Sequence, residues 1–199
     1  FQMPIENVDT LYSCRKFFGV PDGAFLYTNV RLNDNLQQDQ SYQRVNHLLG
    51  RYEKSAEEFY KEFLVNDKML EKEAVKRMSK LTNNLLHGIQ YEKVRDKRTE
   101  NYLYLYKKFK SINILELQEI EGAFTYPLFI KNGSEVRKKL QSKKIYIPTL
   151  WPDVLELCGE EELEFTFSNN ILPLPCDQRY NDEEMEYIAE NIMKILCGR

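Results

Sequence analysis

Histidine is nearly missing from this chain. His47 and His87 are the only two in 199 residues. Each falls on a predicted helix without an acid or cysteine at ligand spacing, which argues against a metal centre. Cysteine is sparse too: Cys14, Cys158, Cys176 and Cys197 form no C-x-x-C pair. That signals neither a zinc site nor a disulfide framework and fits reduced thiols, so a cytoplasmic protein is expected. No run approaches the ~18 apolar residues a membrane span needs, and no signal peptide is recognised; no membrane partner is expected. Charge of one sign is also lacking. The 28 basic and 31 acidic residues leave a net charge of −3, which gives no electrostatic case for nucleic acid. Internal repeats and low-complexity segments are absent.

What is present belongs to a globular protein: 42% hydrophobic and 13% aromatic residues, enough to build a core at this length. Val45, Leu48, Leu49, Tyr52, Ala56, Phe59 and Phe63 recur at helical spacing and predict one long helix over 41–64, weakened by Gly50. Helices are also predicted over 71–87, 91–111 and 134–141. A last one has Asn181 as its cap and Met185, Ile188, Ala189, Ile192 and Ile195 as its inner face. Residues 122–130 and 145–148 read as strands, with Pro127 placing the first at an edge or bulge. Residues 29–40 read as a loop. Leu163, Phe165 and Phe167 alternate as in a strand, yet Glu160-Glu161-Glu162 suits a helix N-terminus.

The stretch with chemical content runs from Ser13 to Ala24. Two short strand patterns, around 8–12 and 24–28, flank a turn marked by Gly19, Pro21 and Asp22-Gly23. Lys16 sits just past the first strand, with Ser13 three residues earlier and Phe17 and Phe18 after it. A lysine held against apolar rings has its charged form disfavoured and becomes a better nucleophile toward a carbonyl. The other reading is an exposed hairpin lysine. Cys14 reads as a reactive thiol or, without a neighbouring histidine, as a packing residue.

Tyr12-Ser13-Cys14-Arg15-Lys16 followed by Asp22-Gly23-Ala24 resembles the Schiff-base lysine segment of fold-type-I pyridoxal-phosphate (PLP) enzymes, and most nearly the DegT-type sugar aminotransferases. Later segments follow the same order. Arg77-Met78-Ser79-Lys80-Leu81 resembles that family's helix start after the long inter-domain helix. Glu135 to Leu140 with Lys144 to Pro148 resembles its helix, strand and loop element. Ile171-Leu172-Pro173-Leu174-Pro175 resembles its closing Leu-Pro segment. The family pattern makes the segment of Leu163, Phe165 and Phe167 a helix, and a helix is expected there. Two departures stand out. The family's phosphate-binding helix start, ring-stacking aromatic and acidic partner of the pyridine nitrogen all precede the lysine, and only fifteen residues precede Lys16 here. Val75 also stands where the family commonly has an asparagine.

The resemblance implies the C-terminal part of such an enzyme: an α/β chain, α+β as it stands. Residues 1–66 would be the remnant of the cofactor-bearing large domain with the long helix, and 67–199 a small C-terminal α+β domain. Lys16 would hold PLP and move the substrate proton, and Ser13 would sit near the cofactor phosphate. The reaction would be transamination of a nucleotide-linked keto-sugar, or dehydration, in a homodimer, and it would fail without the preceding half. Trp151 would stack on a sugar ring; the alternative is filling an interface. Arg179 would bind a substrate phosphate or carboxylate; the alternatives are capping the chain or pairing with Asp177. The competing function is a non-catalytic dimerisation or interaction module.

Overall fold

The computed structural model describes residues 1–32 and 35–198; Asn33 and Asp34 of the expected 29–40 loop lie outside the described residues. The architecture is mixed α/β, with helices and two separate two-stranded antiparallel sheets. Two compact units divide between Ile89 and Gln90, one being Gln2–Ile89 and the other Gln90–Arg199 with Phe1. The boundary expected near residue 66 falls instead inside a helix.

In the first unit, β1 (Thr10–Ser13) pairs with β2 (Ala24–Tyr27), with Ser13 opposite Ala24. The expected 41–64 helix is two helices, α1 (Asn46–Glu53) and α2 (Tyr60–Leu70), with a short 3-10 turn over Tyr42–Arg44 before them. The physical reason lies at Gly50. A Cβ there would come within 2.2 to 2.3 Å of three Phe59 ring carbons, so the ring occupies the space a side chain would fill. The chain breaks at Lys54 (φ −125°, ψ −96°), and Ser55 Oγ accepts from the Glu58 N–H at 3.2 Å, starting the return. The heptad-like spacing therefore continues across a reversal. The helix expected over 71–87 is shortened to α3 (Lys80–His87), begun by Ser79, whose hydroxyl accepts from the Thr82 N–H.

The second unit is built on α4 (Tyr91–Phe109), β3 (Thr125–Phe129), α5 (Gly133–Ser142), α6 (Val154–Leu157), α7 (Leu163–Asn170), β4 (Ile171–Pro175) and α8 (Asp182–Leu196). Tyr102, Leu105, Tyr126, Leu128, Leu140, Leu172, Leu174 and Ile192 form one buried core. Because β3 and β4 make a two-stranded sheet, both are edges, and Pro127 lies opposite Pro173 without disrupting a central ladder. The strand expected over 145–148 does not form. Ile145 and Ile147 are buried and Tyr146 exposed, so the alternation is kept, but this segment pairs with no strand. The 163–170 helix is present as expected, and α8 carries a full capping box between Asn181 and Glu184.

Candidate functional site

The hairpin turn places the chemistry-bearing residues first. Cys14, Arg15 and Lys16 form a single 3-10 turn between β1 and β2, capped by Phe17. The Cys14 N–H donates to the Gly23 carbonyl at 3.1 Å, closing the loop at its neck. Gly23 has φ +96°, and a Cβ there would meet the Thr82 side chain at 2.8 Å. Glycine is required on both counts. Ser13 is half-buried, and its hydroxyl is not spent as a cap. Lys16 is exposed to solvent at the end of the turn. The two phenylalanines do not enclose it, so the enclosure expected from sequence is not provided by these residues. Cys14 is buried; burial raises its thiol pKa and makes it a packing residue.

Behind the turn lies a buried polar network that local sequence patterns do not reveal. Arg44 Nε donates to Asp22 Oδ2 at 2.9 Å, and Arg44 also pairs closely with Asp39. Thr82 Oγ1 donates to Asp22 Oδ1 at 2.5 Å. The Ser41 and Ser79 hydroxyls share a hydrogen bond beside it. Burial opposes the Arg44 charge, but the hydrogen bonds and charges of Asp22 and Asp39 outweigh it and raise the guanidinium pKa. A bridge between Gln38 and Arg77, with the Asp39 N–H donating to the Arg77 carbonyl at 3.0 Å, ties the same loop down. Apolar burial in this unit is thin, centred on Cys14, Val20 and Leu86, so polar contacts carry much of the turn's definition.

A cavity of about 420 Å³ is lined by Arg44 together with His47, Lys61, Glu62, Val65, Asn66 and Met69 among others. His47 is buried, 5.9 Å from the Phe63 ring. Burial first, then the charge of Arg51, lowers its pKa. Asn66 donates to the Pro21 carbonyl at 3.2 Å, while its Oδ1 is buried without a partner.

The other two expected site residues belong to the second unit. Arg179 is drawn into a two-pronged ion pair with Asp177, with Nε and Nη2 at 2.8 and 2.9 Å from the two carboxylate oxygens. This is the pairing alternative. Trp151 is 73% exposed and has a left-handed backbone (φ +51°), so it fills no interface within its unit. The surrounding sequence carries carboxylates and no lysine or arginine between Lys144 and Arg179, which opposes a nucleotide diphosphate. Buried Arg98 donates to Gln178 Oε1 and to the Ala123 carbonyl, both at 2.9 Å, and serves as a structural tie.

Among the described residues no group of three or more His, Cys, Asp or Glu could hold a metal ion, and no helix is long and apolar enough to cross a membrane. Comparison with protein-family models, with curated proteins and with solved structures finds no match. The class defined by the fold is therefore a mixed α/β chain of two units, with a lysine-bearing hairpin as its most chemically distinctive feature.

Proposed function

We propose that the chain carries the lysine hairpin and C-terminal α+β part of a fold-type-I PLP-dependent aminotransferase resembling the DegT-type sugar aminotransferases. The observation that supports this best is the β1, 3-10 turn, β2 hairpin. It presents the Lys16 amine to solvent one turn past a strand end, with the uncapped Ser13 hydroxyl three residues behind. An amine and a hydroxyl are the group types that an aldehyde cofactor and its phosphate would engage. PLP would supply the electron sink for reactions at the substrate Cα. Lys16 would bind it covalently and exchange a proton with the substrate; Ser13 would donate to a phosphate oxygen; the Asp22–Arg44 network would hold the turn in register. No aromatic or acidic residue of this chain is assigned to the cofactor ring. Arg179 and Trp151 are left out of the substrate site on the grounds of charge and pairing given above.

The test is reductive trapping. In a protein that joins the preceding, cofactor-cradling half to this chain, incubation with PLP, reduction with borohydride and mapping by mass spectrometry should label Lys16 ahead of the other exposed lysines. Label spread evenly over surface lysines, or absent from Lys16, overturns the reading.

A second reading, association through the hairpin, is favoured by one observation. All four β2 residues are exposed, and Leu11, Phe25, Leu26 and Tyr27 leave both hairpin faces apolar and uncovered. Homodimer formation would follow. Sedimentation equilibrium at micromolar concentration distinguishes a dimer from a monomer, and Phe25→Ser with Leu26→Ser should abolish the dimer if the hairpin forms it.

A further inference from the structure

We propose that the corner made by Trp151, α6 and the start of α7 is a docking surface for a basic amphipathic segment of a partner protein. The segment is lysine- or arginine-rich and carries at least one large apolar side chain.

The charge distribution is the first observation. All 28 lysines and arginines lie outside residues 145–178. Within that span Asp153, Glu156, Glu160, Glu161, Glu162 and Glu164 are all exposed; Glu156 and Glu164 lie on α6 and α7, which pack together, and the other four in the segments leading into these helices. The chain as a whole is nearly neutral, so this corner is a local field of one sign. The carboxylates do not converge as metal ligands.

The second observation is apolar. Trp151, Leu157 and Leu163 are 73%, 82% and 60% exposed. An acidic surface alone is a solvated face; large apolar side chains set among the carboxylates give a partner something to bury, and tryptophan is prominent among interface anchors. An indole face beside carboxylates also suits a cationic side chain, through stacking and ion pairing together.

The third observation is rigidity. The buried Ser168 hydroxyl lies 2.9 Å from the Leu150 carbonyl and 3.0 Å from that of Trp151, positioned to donate to either. The Val154 N–H donates to the Trp151 carbonyl at 3.1 Å. Glu162 accepts from the Gly159 N–H at 2.8 Å and closes the turn between the helices. The backbone that carries Trp151 is therefore fixed, so a partner has to order the indole side chain but not the segment beneath it. Phosphate-bearing ligands and acidic peptides are repelled. A cation without apolar groups would leave Trp151 and Leu157 in water.

Trp151 is the sole tryptophan, so its fluorescence reports on this corner alone. The probe is a synthetic helical peptide of lysine, leucine and alanine, with a lysine–glycine peptide and a glutamate–leucine peptide as controls. The lysine–leucine peptide should shift the emission to the blue with saturation. Its affinity should fall about tenfold between low and physiological salt. The triple variant Glu160→Gln, Glu161→Gln, Glu164→Gln should bind about tenfold more weakly, and Leu157→Ser should also lose affinity. Both alter exposed groups, and circular dichroism checks that the fold persists. Three results overturn the proposal: no shift at millimolar peptide, an equal response to the lysine–glycine peptide, or unchanged binding by the triple variant. A blue shift that grows with protein concentration without peptide would assign the face to self-association instead, and overturns it equally.

Discussion

The Asp22 carboxylate and the Arg44 guanidinium meet at 2.7 Å with side-chain exposures of only 6% and 7%. Asp22 belongs to the turn that follows Lys16, and Arg44 to the segment before α1, so this pair joins the hairpin to the helical part of its unit. A buried charge left wholly unpaired costs about 3–5 kcal/mol; Arg44 keeps Asp39 as a partner when Asp22 is removed, so the cost falls below that range. Asp22→Ala should therefore loosen the turn, seen as faster hydrogen exchange in peptides covering 14–24 and 39–49. Asp22→Leu with Arg44→Met and Asp39→Asn, which removes the three charges that meet there, should be milder than the sum of the single changes. Additive losses would mean the pair is not the tie.

At Gly50 the sign of a mutation distinguishes two folds. In an uninterrupted helix, Gly50→Ala would stabilise by about 1 kcal/mol. In the α1–α2 hairpin, the new methyl would meet the Phe59 ring, and overpacking of this kind costs about 1–3 kcal/mol. The hairpin predicts a lower urea midpoint for Gly50→Ala, and partial recovery when Phe59→Leu is added.

Gly50 also shows where the sequence stops being legible. Spacing of apolar residues is only partly informative: Val45, Leu48, Phe59 and Phe63 are half-buried, whereas Leu49 and Tyr52 of the same expected face are exposed. It does not report that the chain reverses at Lys54, because the cause is contact between Gly50 and a ring nine positions on. The same holds for 145–148: alternation put Ile145 and Ile147 inside, but a strand also needs a partner, and partners are non-local. Capping, by contrast, is local. Asn181 with Glu184, and the acidic start of α7, were readable for that reason. In the hairpin, Gly23 and the position of Lys16 followed from turn chemistry. Asp22 read only as a turn residue, since its partners Arg44 and Thr82 lie far along the chain and only the folded structure brings them together.

His47 should give the first unit a pH dependence. Burial and the charge of Arg51 lower its pKa from 6.5, so the folded state resists protonation while the unfolded chain does not. The unfolded state then binds more protons below pH 6.5, and stability falls as pH drops through that value until the lower folded pKa is passed. Denaturant midpoints measured from neutral to mildly acid pH should fall for the wild type and stay flatter for His47→Gln. Parallel curves would remove His47 as the cause.

Asn113 substitutes for a missing strand neighbour. Its Nδ2 donates to the Pro127 carbonyl at 2.9 Å and to the Tyr126 hydroxyl at 3.2 Å, and its Oδ1 accepts from the Phe129 and Leu115 N–H groups at 3.0 and 3.1 Å. Asn113→Ala would leave β3 groups unpaired, at about 1–3 kcal/mol for a buried one. Thermal unfolding followed by near-ultraviolet dichroism should show the loss, and a Tm unchanged within error would refute it.

The Asp177–Arg179 pair makes a prediction about both stability and binding. Burial by itself would raise the Asp177 carboxyl; the hydrogen bonds and charge of Arg179 outweigh it and hold the pKa below 3.8. Since the folded value is depressed, the stabilisation is present above the unfolded value and is lost as pH falls through the folded one. Asp177 is 8% exposed, but the Arg179 side chain is 62% exposed. Solvent screening therefore limits Asp177→Asn to about 1–2 kcal/mol at neutral pH, and the variant should lose less stability on acidification than the wild type. The same substitution frees the Arg179 fork. With Asp177 in place, both prongs are occupied, and inorganic phosphate should leave the Arg179 side-chain NMR signal unmoved at millimolar concentration. In Asp177→Asn the signal should shift with phosphate and saturate. A wild-type response as large as the variant's would show that Arg179 releases Asp177 easily, and would return it to the list of residues able to grip a substrate anion.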